Sequence, residues 1–118
     1  MTEEDLMQYL RGLGFTVEVA QDSNGVSYTV MRDVRVPNKG SLAGRVCDVA
    51  LPRTNSVPYM VGASVHTQPS LVNMDTSGPL KTQASPLGTE WQYWSRRFDR
   101  TPSPQAIWTH VLTVLTEV

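Results

Sequence analysis

One thiol and two imidazoles are the most reactive groups in this chain of 118 residues. Cys47 is its only candidate for a thioester nucleophile. It stands within the alternating run Arg45 to Leu51, on the face shared with Val49 and Leu51, and a cysteine buried in that way is a small inert hydrophobe. The sequence therefore predicts a core role for Cys47. His66, as a neutral imidazole, could take a proton from an attacking amine or hydroxyl. No acidic residue adjoins it, so a surface histidine at a strand end is the plainer reading. His110 lies beside Val111 in an apolar helical run and reads as structural or exposed. Ser77, Ser85 and Thr89 supply hydroxyls in a stretch without periodicity. A hydroxyl nucleophile needs a base and an oxyanion site, neither of which the sequence displays, and any solvated loop contains Ser and Thr.

Binding chemistry is concentrated later in the chain. Trp91, Trp94 and Phe98 recur at i, i+3 and i+7, interleaved with Arg96, Arg97 and Arg100. Aromatic residues and arginine dominate binding hot spots. The alternative is that the tryptophans close the core over the last helix while the arginines stay in water. Stacking on RNA would use the same residue types, but ten basic residues against eleven acidic ones leave a net charge of -1 and no broad phosphate footprint. No nucleic acid partner is expected. A single cysteine cannot close an internal disulfide, and two histidines without a Cys cluster make no zinc spacing, so neither a metal nor a cofactor is expected. The start MTEEDLMQYL is acidic, and no apolar stretch approaches the roughly 20 residues that span a bilayer. A cytoplasmic protein without a membrane partner is the expectation.

The elements that must position these groups follow from periodicity. With 40% hydrophobic and 18% charged residues the chain reads as one globular domain over 1–118. Thr2 and Asp5 form a capping box ahead of Leu6, Tyr9, Leu10 and Leu13, which predicts a helix over 3–13 ending at Gly14. Phe15, Val17 and Val19 then alternate with polar residues. The turn Asp22-Ser23-Asn24-Gly25 leads into Val26, Tyr28 and Val30, predicting a hairpin. A third strand is expected around 45–51 and a weaker fourth over 60–65, where Gly62 and Ala63 offer little to pack. From Pro69 to Gly88 the pattern vanishes, which predicts a long irregular segment. Ser103 as N-cap and Pro104 at the first helical position open a final helix with Ile107, Trp108, Val111, Leu112, Val114 and Leu115 on its apolar face. The class is α+β: a helix at each end of the chain and one antiparallel sheet of about four strands.

This order of elements resembles the fold of ubiquitin-conjugating enzymes and their RWD relatives. The stretch CDVALPRTNSVPYMVGASVHTQP is similar to that family's third strand, proline-rich connection and fourth strand, with Leu51-Pro52 and Val57-Pro58-Tyr59 as a degenerate link. The segment GTEWQYWSRRFDR is closer to a bacterial branch that carries a Trp-Gln-x-Trp-Ser-Arg-His type run before its last helix, matched here by Trp91, Gln92, Trp94, Ser95 and Arg96. The resemblance implies a component of a bacterial conjugation operon, with an adenylating, ubiquitin-activating-like enzyme and a ubiquitin-like protein as partners. An RWD-like interaction domain with no part in such transfer is the alternative.

Two departures bear on chemistry. The region matching the family's flap and thioester cysteine, roughly Thr67 to Glu90, contains no cysteine, and the branch's histidine after Ser-Arg is Arg97 here. The resemblance thus leaves either a pseudoenzyme or a transferase dependent on His66, Ser77 or Ser85. It also assigns Trp91, Trp94, Arg96 and Arg97 to binding, with Arg97 able to hold a carboxylate in a bidentate grip.

Overall fold

The computed structural model describes residues 1–118 except 57, 58, 76, 77, 99, 100 and 102. It is a two-layer α+β structure. Two helices lie on one face of a six-stranded sheet with strand order β1-β2-β3-β4-β6-β5, each neighbouring pair antiparallel.

Helix α1 (Glu3–Gly12) begins as its capping box dictates: Thr2 Oγ1 accepts from the Asp5 amide at 3.1 Å, and the Asp5 carboxylate accepts from the Thr2 amide at 2.9 Å. Leu6, Met7 and Leu10 face the core, whereas Leu13 caps the end and is exposed. Strands β1 (Val17–Gln21) and β2 (Ser27–Arg35) form the expected hairpin. Asp22 shapes its turn by accepting the amides of Asn24 and Val26, and Gly25 supplies a φ of 81°. Strand β3 (Val46–Pro52) buries Cys47, Val49 and Leu51, as alternation required.

The expectations past β3 need correcting. The fourth strand is Val65–Gln68 rather than 60–65, because Gly62 and Ala63 bring no packing surface whereas Val65, His66 and Thr67 are all buried. The sheet has six strands rather than about four. Within the stretch expected to be irregular, β5 (Thr82–Ser85) pairs with β6 (Gly88–Trp94) across the two-residue turn Pro86-Leu87. The two residues that β5 buries, Thr82 and Ser85, are polar, so no apolar alternation announces it. Helix α2 (Pro104–Thr116) is capped by Ser103 Oγ, which accepts from the Ala106 amide at 3.1 Å.

Leu6, Leu10, Met31, Val49, Val65, Trp94, Ile107, Val111 and Leu115 form one core between helices and sheet. The opposite face carries a smaller cluster of Tyr28, Val30 and Ala50, covered in part by Trp91 and Leu87. No described helix is long and apolar enough to cross a membrane.

Candidate functional site

Cys47 sits on the helix-facing side of the sheet with 3% of its surface exposed. Burial, and secondarily the charge of Asp48, pushes its thiol up to about 12. At neutral pH there is almost no thiolate, the species that thioester exchange requires.

The first part of the segment matched to the bacterial branch, Gly88–Trp94, is strand β6, so Trp91 and Trp94 point to opposite faces. Gln92 and Trp94 turn inward. The buried Gln92 carboxamide works as a clamp: Oε1 accepts from the amides of Leu71 at 3.0 Å and Val72 at 3.3 Å, and Nε2 donates to the Val72 carbonyl at 2.7 Å. Trp94 donates from Nε1 to Thr67 Oγ1 at 3.0 Å. Arg96, expected as a binding residue, is tied into the fold. Its guanidinium lies 5.5 Å from the Trp94 ring, pairs with Glu117, and donates to the carbonyls of Leu80 at 2.9 Å and Ser95 at 2.7 Å. Together Gln92 and Arg96 fasten both ends of the connection between β4 and β5, while Trp94 bonds to β4 itself. Arg97 is exposed and lines a depression of about 640 Å³ together with Lys81, Arg96 and Glu117.

The outer face brings together two of the candidate reactive residues. His66 on β4 and Ser85 on β5 meet with 2.7 Å between Nδ1 and Oγ. This corrects the reading of His66 as a surface residue: it is 2% exposed, in register with Ala50 on one side and Tyr93 on the other. The imidazole is held edge to face between Tyr28 and Tyr93, with ring centroids 5.0 and 5.1 Å away. Tyr28 Oη in turn donates to Asp22 Oδ2 at 2.8 Å. Burial depresses the His66 pKa to about 4, against the weaker opposing pull of the Asp22 charge, so the ring is neutral at physiological pH. Burial and the Asp22 hydrogen bond raise the Tyr28 phenol above its ordinary value. Ser85 Oγ also accepts from the Leu87 amide at 3.1 Å.

His66 lines a depression of about 430 Å³ together with Tyr28, Pro52, Ser64, Gln83 and Tyr93. Ser77 lies outside the described residues, as do Arg100 and the Val57-Pro58 part of the proline link. Thr89 is exposed on β6, and His110 is structural, its Nε2 donating to the Ala63 carbonyl at 2.7 Å. Sequence reasoning missed the tyrosine pair and Asp22 around His66, because strand pairing alone makes them neighbours. The Gln92 clamp had a faint signal, since Trp-Gln-Tyr-Trp has the period of a strand whose inward positions are 92 and 94. Among the described residues no group of three His, Cys, Asp or Glu side chains is arranged to hold a metal ion. In comparison with family models, curated proteins and solved structures, the chain matches none.

Proposed function

We propose that this chain is a ubiquitin-conjugating-enzyme-like component of a bacterial ubiquitin-like conjugation pathway, working with an adenylating enzyme and a ubiquitin-like protein but without a cysteine thioester. The supporting observation is the job done by the Trp-Gln-x-Trp-Ser-Arg segment. Its Gln92 and Arg96 fix the connection that follows β4, the stretch that the resemblance matches to the one in which the family carries its reactive cysteine, and its Trp94 bonds to the end of β4. The α+β order supports the same reading, with a helix ahead of an antiparallel meander and a helix after it. The cysteine-free part rests on Cys47, whose thiol faces the core and holds its proton.

The exposed Arg97 and its neighbour Lys81 give the partner surface its character. Arg96 in this depression is paired with Glu117, which leaves the cations of Lys81 and Arg97 to suit a carboxylate, either an acidic side chain or the tail of a ubiquitin-like protein. The test is incubation of the purified chain with ATP and with the activating-like enzyme and ubiquitin-like protein encoded beside it. A stable complex without a thiol-reducible adduct is expected, and Arg97→Glu should disrupt it. A reducible adduct abolished by Cys47→Ser would overturn the cysteine-free reading. Failure to associate with either protein would leave an interaction domain serving other partners.

A further inference from the structure

We propose that Ser85 and His66 form a reactive hydroxyl–imidazole pair at the edge of the outer-face depression, with Ser85 Oγ accepting an acyl group from an activated ester or thioester. The geometry is that of a nucleophile with its base: 2.7 Å separates Oγ from Nδ1, within the range for direct proton transfer. The Leu87 amide donates to Oγ and leaves the hydroxyl proton unused, and in the Nε2–H tautomer of His66 that proton points at Nδ1. Tyr28 and Tyr93 hold the ring from both sides, which fixes the direction of that transfer. A base was one of the two elements, with an oxyanion site, that the sequence did not show for any hydroxyl in this region.

The surroundings suit an uncharged acyl chain. The depression beside the pair is lined by Pro52, Gly62, Ser64, Gln83, Pro86 and Tyr93, none of them ionised at neutral pH. Ser85, 7% exposed, borders the exposed Pro86, which lines the depression at the turn between β5 and β6. An imidazole in the middle of a sheet face also carries a desolvation cost that an apolar side chain at position 66 would avoid. In the step itself Oγ attacks the acyl carbon and a carbon–oxygen bond forms as the bond to the leaving thiolate or phenolate breaks. The hydroxyl proton passes to Nδ1 and from there to the leaving group, restoring the neutral ring. That the donor is the thioester of an activating-like enzyme rests on the conjugation reading above, whereas the reactivity of the pair does not.

The experiment treats the full chain with p-nitrophenyl acetate at pH 7.5 and locates acetyl groups by peptide mass mapping. Ser85 should be acetylated ahead of lysines and the amino terminus, the label should vanish in Ser85→Ala, and labelling should slow at least tenfold in His66→Gln. Ser85→Cys in a Cys47→Ala background keeps the size of the residue and offers a second measurement: iodoacetamide should modify it at least tenfold faster than it modifies Cys47 in the unaltered chain. Acetylation confined to amines, or a Ser85→Cys thiol as slow as Cys47, would show the pair to be only a structural pin. Because the probe requires no conjugation partner, that result would leave the pathway reading standing.

Discussion

Trp94 and Thr67 are joined by a hydrogen bond inside the protein: the indole N–H donates to the threonine hydroxyl at 3.0 Å between adjacent strands, and both residues have 0% exposure. An interior indole needs such a partner. Trp94→Ala should therefore cost about 3 to 5 kcal/mol, and Thr67→Val about 1 to 3 kcal/mol through the orphaned N–H. Trp91, half-buried on the other face, should cost less than Trp94 when truncated. Urea denaturation of the three variants ranks them, and equal losses for the two tryptophans would contradict their placement.

Gln92 should govern local more than global stability. Three of its hydrogen bonds reach the backbone at Leu71 and Val72 and a fourth reaches Met74 Sδ, so Gln92→Leu should release that connection while keeping an inward apolar residue. Amide exchange at Leu71 and Val72 is expected to accelerate well beyond that in β2 and β3. Uniform acceleration across the sheet would mean that the clamp supports the fold as a whole.

His66 makes stability depend on acidity in a defined direction. Its pKa is about 4 in the folded protein against 6.5 for the free side chain, so between those values the unfolded chain binds more protons. The stabilising effect is complete above pH 6.5 and is lost as pH falls toward 4, about 3 kcal/mol in all. Unfolding free energies at pH 7.5 and 4.5 should differ less in His66→Gln than in the unaltered protein. An identical acid slope in both would remove His66 as its source.

The two adjacent arginines should behave differently. Arg96→Ala breaks the pairing with Glu117 and the bonds to the Leu80 and Ser95 carbonyls, and a melting temperature lowered by several degrees is expected. Arg97→Ala should leave melting unchanged yet weaken association with the acidic partner by about 1 to 2 kcal/mol. Calorimetric titration and thermal melts on both variants separate tie from contact. Unchanged affinity for Arg97→Ala would remove it from the partner surface.

Residues 1–52 were readable because apolar side chains do the packing there. The capping box at Thr2 and Asp5, the Asp22 turn and the Cys47-Val49-Leu51 alternation each put a local rule in agreement with the fold. Beyond residue 60 the buried positions are often polar: Thr67, Thr82, Ser85, Gln92 and His66. Each is paired across the sheet or to a connection, and periodicity in hydropathy cannot register a polar group whose partner is distant in sequence. The same fact hid the site. His66 and Ser85 were visible as isolated residues, but 19 positions separate them, and only the β4–β6–β5 order makes them neighbours.

Strand β4 is four residues long and joins two otherwise local structures. It pairs through three residues with β3 and three with β6. The meander β1–β3 and the hairpin β5–β6 each close through nearby residues, and hairpins of that kind assemble in about 1 to 10 μs. Joining β4 to β6 requires closure of the whole connection from Pro69 to Lys81, an entropic delay that local turns do not suffer. The sheet is thus two pieces sewn by one short strand, and His66, Thr67 and Trp94 lie on that seam.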